Sequence, residues 1–276
     1  MGELDGRVAL VTGAARGQGR AHARALAAAG ATVVASDIAA QLPTVDYPLA
    51  SPADLAETVR LVNQAGGRAS AAVLDVRDSS ATDELVKAIV AEHGRIDILV
   101  ANAGICDYCP VAEIPDAVWR DVIDTNLTGP FNCIRAVLPH MTAAGYGRIV
   151  AISSGAGRAG MRNLGHYGAS KWGLIGLVKT VAIEAGMSGV TANVVCPTSV
   201  ATPMLLSEPA YRLFCPDIDN PGLEDARSRF ATLSPMGIPW LQPEDVSRAV
   251  LYLVTDPGVI SGSVLEVNLA TSAART

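Results

Sequence analysis

A chain of 276 residues with 50% hydrophobic and only 17% charged residues has the apolar mass for one large core, and α/β folds of this size commonly stay single-domain. Its formal net charge of −6, with no Lys/Arg block interleaved with aromatics, argues against a nucleic-acid partner. No apolar run approaches about 18 residues and MGELDGRVAL leads straight into a strand, so the expectation is a cytoplasmic chain with no membrane-embedded part.

Arg7 to Thr12 (RVALVT) is rich in Val and reads as a central strand. A turn carrying Gly13, Arg16, Gly17, Gln18 and Gly19 follows, then an Ala-rich helical segment from Gly17 to Ala29, closed by Gly30. Strand, glycine turn and helix together suit an anion. The backbone turns tightly, a pyrophosphate can approach the N–H groups, and the helix dipole favours negative charge there. A purely structural tight turn is the plain alternative.

The second strand, Ala31 to Ser36, ends at Asp37. A carboxylate there accepts hydrogen bonds from ribose hydroxyls and repels a 2′-phosphate, which predicts NAD rather than NADP. Arg16 argues the other way, but like charge against a phosphate outweighs a mobile cation. Residues 38–52 then form a segment with three prolines and no clear period, too long for an ordinary βα connection and too apolar for simple disorder. Its position after Asp37 and Ile38 places it over the adenosine end of a bound cofactor.

Helices at 53–65 and 79–93 alternate with strands at 69–74 and 96–100, the last ending in Asn102-Ala103-Gly104. A long helix from Pro115 to Ala143 carries Asn126 and Gly129 in its middle. A mid-helix glycine costs about 1 kcal/mol against alanine, which predicts a local irregularity where an Asn side chain holds a water or a backbone carbonyl.

The strand Ile149 to Ile152 breaks into a Gly-rich loop with Ser153 and Ser154, and a helix starts near His166. On it Tyr167 and Lys171 stand four residues apart, on one face. A nearby cation favours phenolate and brings the phenol within reach of proton transfer. With six tyrosines and three lysines in the chain, such a pair arises by chance about 0.07 times, so an ordinary amphipathic helix is the weaker reading. A further strand from Val190 to Val195 leads to Pro197 and Met204. The β-α alternation gives a single-domain, Rossmann-type, doubly wound parallel sheet of about seven strands.

Five cysteines do not suggest a disulfide framework, and Cys106-x-x-Cys109 lacks the second pair a zinc site needs. Residues 203–240 are expected to lid a substrate pocket with Met204, Leu205, Leu206, Tyr211, Leu213 and Phe214. Arg158, Arg162 and Arg212 read as surface residues, with none placed to clamp a carboxylate.

Together, Thr12-Gly-x-x-x-Gly-x-Gly19, Asp75-Val76, Asn102-Ala103-Gly104, Asn126, Ser154, Tyr167-x-x-x-Lys171 and Pro197 to Met204 resemble the short-chain dehydrogenase/reductase family over nearly the whole chain. The resemblance implies that Tyr167 is the general acid/base, that Lys171 lowers its pKa and binds the nicotinamide ribose, and that Ser154, 13 residues before Tyr167, orients the substrate oxygen. It implies that Asn126 holds a water in a proton relay, Asp75 and Val76 contact adenine, and Thr202 lies near the carboxamide. Pro197, Thr198 and Val200 complete the implied cofactor contacts. Two departures stand out, Thr198 in place of a usual glycine and Asn268-Leu269-Ala270 in place of acidic-Ala-Gly.

The resemblance also implies a homotetramer in which the helices of Asn126 and Tyr167 pack against symmetry mates, a role that Leu174, Ile175, Leu177 and Val178 suit. The 38–52 insertion with Arg16-Gly17-Gln18-Gly19 is similar to a narrower carveol-dehydrogenase-like group, in which the insertion covers a tightly held NAD that mycofactocin reoxidises. That implies an apolar secondary alcohol or ketone as substrate. An ordinary exchanging ketoreductase or hydroxysteroid dehydrogenase, and a non-catalytic nucleotide-sensing regulator, are the competing readings.

Overall fold

The computed structural model describes residues 2–273; Met1 and residues 274–276, at the ends of the single expected domain, lie outside the described residues. Seven parallel strands form one sheet in the order β3-β2-β1-β4-β5-β6-β7. They are β1 (Val8–Thr12), β2 (Thr32–Asp37), β3 (Arg68–Val73), β4 (Ile98–Ala101), β5 (Gly147–Ile152), β6 (Val190–Pro197) and β7 (Val264–Val267).

Both faces are covered, as an all-parallel sheet requires. Along β1, Ala9 and Val11 face one apolar layer while Val8 and Leu10 face the other, following the two-residue alternation of a strand. Helices α1 (Gly17–Ala28) and α2 (Pro52–Gln64) pack on the first face. Helix α3 (Ser79–His93) packs on the second. The predicted 115–143 helix is divided into α4 (Asp116–Ile123) and α5 (Gly129–Ala144) by a π-helical turn, Asp124–Thr128. The irregularity expected around Asn126 and Gly129 is therefore present. Helix α6 (Gly165–Ala185) joins α3 and α5.

After β6 the chain forms two short helices, α7 (Glu208–Phe214) and α8 (Leu223–Leu233), and then α9 (Pro243–Thr255), which returns to pack on α1. The strand order reverses between β1's neighbours, β2 and β4. A crevice at the carboxyl ends of these strands is where such sheets bind ligands. Most boundaries agree with the sequence to one or two residues. Strand β4 begins at Ile98 rather than Ile96, and just before it the Asp97 carboxylate accepts from the Val8 N–H at 2.9 Å and from Arg7 at 3.0 Å. No helix among the described residues is long and apolar enough to cross a membrane.

Candidate active site

The glycine turn closes tightly on the end of β4. Gly13 has φ +64°, and a Cβ there would lie 2.8 Å from the Cα of Ala103; one on Gly19 would lie 2.1 Å from the Gly13 carbonyl oxygen. Asn102 locks the junction, its side-chain amide donating to the Thr12 carbonyl at 2.9 Å. The result is a cradle at the N-terminus of α1 that side chains would fill, which fits a pyrophosphate. Asp37 is held rigidly beside it, accepting from the Ala15 N–H at 3.1 Å and the Ala39 N–H at 3.0 Å.

Of the residues expected to meet a cofactor, Gly13, Arg16, Gly17, Gln18, Gly19, Asp37, Ile38, Asp75, Val76, Asn102, Ala103, Gly104 and Thr202 line this one cleft. Arg77, which the sequence reading missed, lines it too. Its guanidinium pairs with Asp75 at 2.7 Å and with Asp121 at 2.6 Å, and the Arg77 bonds hold the Asp75 carboxyl below its ordinary range against the opposing effect of burial.

The 38–52 insertion forms a wall of the cleft through Leu42, Tyr47, Leu49 and Ala50. The Gln41 amide organises it internally, donating to the Val45 carbonyl at 2.9 Å and accepting from the Leu49 N–H at 2.8 Å. Outside ties are the Arg16 guanidinium to the Pro48 carbonyl and the Thr44 hydroxyl to Asp121 at 2.6 Å. Arg16 therefore fastens the insertion. Leu42, Val45 and Tyr47 pack with Ile105 and Val122, and Tyr167 and Met204 touch the same cluster, so the insertion reaches well past the end of β2.

The catalytic candidates converge where β5 ends and α6 begins. The Ser154 hydroxyl accepts from the Ala156 N–H at 3.1 Å and shares a cavity wall with the Tyr167 phenol, whose pKa it lowers. Ser153 is engaged elsewhere, its hydroxyl donating to the Lys171 carbonyl at 2.9 Å. Lys171 is buried, with Nζ donating to the Ile152 carbonyl at 2.8 Å and standing 5.6 Å from the centroid of the Tyr167 ring.

Asn126 sits fully buried in the π-helical turn. Its Oδ1 accepts from the Ile105 N–H at 2.9 Å, and its amide donates to the Ile105 carbonyl at 2.9 Å and to Ser170 at 3.2 Å. The backbone-holding alternative raised for this residue is thus realised. A Cβ on Gly104 would lie 3.2 Å from Asn126 Oδ1 and 3.4 Å from Lys171 Nζ, so both polar heads approach the space that the glycine leaves.

The electrostatics differ from the simple cation-lowers-phenol picture. Burial pushes the Tyr167 phenol above its ordinary value, the Cys106 thiol adds to this, and Ser154 pulls it back. Burial also lowers Lys171 to about 8. The ammonium is directed at the Ile152 carbonyl, and desolvation of both groups outweighs their attraction.

A second cavity of about 720 Å³ opens over Ser154 and Tyr167. Pro197, Thr198 and Val200 lie on its wall, and it shares Gln18, Thr202 and Met204 with the dinucleotide cleft. Residues of the 203–240 segment line its far side, among them Met204, Leu205, Leu213, Phe214 and Phe230. Leu206 and Tyr211 pack behind them against Ala226, Phe230 and Trp240.

Sequence reasoning missed Cys106 and Tyr108 on the near wall. They were noticed only as part of a C-x-x-C, whereas all five cysteines are free and burial pushes the Cys106 thiol up to about 12. Arg158 behaves as the expected surface residue, paired with Glu266 at 3.1 Å. Arg162 and Arg212 are exposed as expected, but they also stand at the mouth of the cavity and line it.

The pattern of the family described as short chain dehydrogenase matches residues 7–211. The chain is 40% identical over 275 residues to a (-)-trans-carveol dehydrogenase of Rhodococcus erythropolis, covering 99% of each. Among solved structures, carveol dehydrogenase from Mycobacterium avium in complex with NAD superposes with a TM-score of 0.96 at 41% identity, covering 99% of this chain and 100% of that one. A short chain dehydrogenase from Mycobacterium paratuberculosis bound to NAD gives 0.89 at 38%, with 99% and 100% covered. With the paired clefts and the Ser154, Tyr167 and Lys171 arrangement, these likenesses place the chain in the short-chain dehydrogenase family of oxidoreductases.

Proposed function

We propose that the chain is an NAD-dependent dehydrogenase that interconverts a secondary alcohol and a ketone on an apolar, carveol-like skeleton. The observation that carries this reading is the convergence of Ser154 and Tyr167 on one largely apolar cavity that shares Gln18, Thr202 and Met204 with the glycine-loop cleft. Bound NAD supplies the hydride acceptor. Ser154 orients the substrate hydroxyl and Tyr167 removes its proton during oxidation, returning it during reduction. Lys171 binds the nicotinamide ribose and favours the phenolate, and Asn126 fixes Ile105 beneath the site while serving a proton relay. Asp37, fixed by two backbone amides, selects NAD by repelling a 2′-phosphate.

The same reading makes the 38–52 insertion a cover that keeps NAD bound between turnovers, so that a small redox carrier, mycofactocin, restores the oxidised form in place. The buried Leu42, Val45, Tyr47 and Ala50 support a closed cover, as do the ties from Arg16 and Thr44. Residues 203–240 act as the substrate lid. A homotetramer completes the proposal, with a revised interface: Leu174, Ile175 and Val178 lie in the protomer's own core, leaving Phe131, Trp172 and Ile183 as exposed apolar residues on α5 and α6.

The test is to denature the purified protein, assay the supernatant for NAD, and compare turnover of a terpene alcohol with added NAD against turnover with an artificial electron acceptor. The expected result is about one NAD released per chain and turnover that needs the acceptor, lost in Tyr167→Phe. Protein that is empty and cycles on added NAD would return it to the ordinary exchanging type. A Tyr167→Phe variant with more than about a tenth of the original rate would remove the catalytic assignment.

A further inference from the structure

The substrate cavity carries a charge pattern that a purely apolar alcohol leaves unused. Its charged lining residues are Arg162, Arg212 and Arg229, with no Asp or Glu among the described residues of the wall, although the chain's net charge is −6. Two of these cations are answered locally. Arg212 pairs with Glu208 one turn away, and Arg229 pairs with Asp217. Arg162 has no hydrogen-bond, ion-pair or ring partner among the described residues.

Arg162 itself is exposed at the cavity mouth, but the loop that carries it is fastened. Met161, Arg162 and Asn163 line the cavity consecutively, on the loop between Ser154 and Tyr167. Asn163 stands at φ +63°, in the left-handed region that Asn enters more readily than most residues, and its carbonyl accepts from the Cys109 N–H at 2.9 Å. Leu164 bridges to Cys109 as well. The loop is thus fastened to the segment after β4 on one side and to the catalytic helix on the other.

We propose that the cavity takes an alcohol whose apolar skeleton carries a carboxylate, with Arg162 binding the carboxylate while Ser154 and Tyr167 hold the hydroxyl. This rests on the reading of Ser154 and Tyr167 as the reacting end. A guanidinium matches a carboxylate through two parallel hydrogen bonds, and at the edge of an apolar cavity such a pair is less screened than in open water. One uncompensated arginine suits a monoanion. A polyphosphate handle such as that of coenzyme A would call for several free cations, and two of the three here are neutralised. Leu213, Phe214, Phe230 and Leu233 receive the skeleton between the two polar ends.

The experiment uses the purified protein with its cofactor and two matched pairs of different length: 4-hydroxycyclohexanecarboxylate with its methyl ester, and 3α-hydroxycholanate with its methyl ester. The acid of the fitting length is expected to exceed its ester about tenfold in kcat/KM, a preference that shrinks with added salt and falls to within about twofold in Arg162→Gln, mainly through KM. Esters equal to their acids at both lengths would overturn the carboxylate proposal while leaving the dehydrogenase reading standing, as would a preference that survives Arg162→Gln. If none of the four compounds turns over, the dehydrogenase reading of these substrates fails, and calorimetry with unreactive cyclohexanecarboxylate and cholanate decides the site separately. Binding about tenfold weaker in Arg162→Gln upholds it, and equal or absent binding overturns it.

Discussion

The Tyr47 hydroxyl accepts a hydrogen bond from the Cys106 backbone N–H at 3.2 Å, joining the 38–52 insertion to the loop beside the catalytic residues. Both residues are buried, and the neighbouring Ile105 is held at both its N–H and its carbonyl by Asn126. The loop is therefore clasped from two sides, one of them part of the cofactor's cover. Tyr47→Phe keeps the ring's packing but leaves the Cys106 N–H unpaired, which costs about 1–3 kcal/mol for a buried donor. The expected outcome is hydrogen exchange at the Cys106 amide at least about fivefold faster, with faster NAD release and a lower kcat. Unchanged exchange and release would show that apolar packing alone closes the cover.

Lys171 gives a second prediction. Burial lowers it from 10.5 to about 8. Because the folded value is the lower one, the unfolded chain binds more protons between about pH 8 and 10.5, and stability from this group rises across that window. Its charge in the folded protein is present below about 8 and lost above. In nucleotide-free protein labelled at the lysine ε-carbon, the resonance assigned to Lys171 by its loss in Lys171→Met is expected to titrate near pH 8. A midpoint at or above 10.5 would show that the ammonium is solvated or paired more strongly than the Ile152 carbonyl contact allows.

The central strands were legible because burial on both faces makes them nearly continuous apolar runs, unlike the largely exposed edge strand β3; VALVT of β1 and the Ile149 to Ile152 run of β5 need no tertiary knowledge to read. Tyr167 and Lys171 were legible for the same local reason, since four-residue helical spacing fixes their shared face. Tyr47 and Cys106 were not. Their meeting depends on how a 15-residue, proline-bearing insertion folds back across the sheet, and no sequence period encodes that. Arg162 was read as a surface residue, and it is exposed; that it also lines the substrate cavity depends on where the loop between Ser154 and Tyr167 runs, which no sequence period encodes. The sign of the Tyr167 shift escaped the sequence too, since desolvation is set by everything packed around the phenol.

His22 makes a pH prediction away from the active site. It is completely buried on α1, its Nδ1 lies 2.8 Å from the Ser247 hydroxyl of α9, and burial lowers its pKa to about 3. The neutral ring is thus required in the folded state, whereas the unfolded chain takes up a proton below about 6.5. Stability is unaffected by this group above pH 6.5 and falls as the pH drops toward 3, by about 1.4 kcal/mol per unit, or about 2 kcal/mol by pH 5. Denaturant midpoints at pH 7 and pH 5 measure it, with His22→Gln expected to remove most of that component. An equal acid loss in the variant would assign it to other groups.

Gly129 tests the join between α4 and α5. Helix propensity alone predicts that Gly129→Ala stabilises by about 1 kcal/mol. The structure reverses the sign, because a Cβ at this position would lie 2.5 Å from Val76 Cγ2 and 3.0 Å from its Cβ. Val76 is β-branched, has little rotamer freedom and lines the dinucleotide cleft, so it cannot step aside cheaply. Overpacking of this kind costs about 1–3 kcal/mol, which exceeds the propensity gain. Gly129→Ala is therefore expected to destabilise the protein and weaken NAD retention, while Val76→Ala in the same chain restores part of the stability by removing the clashing methyl groups. The double-mutant cycle should show coupling of about 1 kcal/mol or more, as residues in direct contact do. Additive effects would mean that the π-helical turn relaxes to accept the methyl group, and a stabilised Gly129→Ala would mean that Val76 does not constrain this position at all.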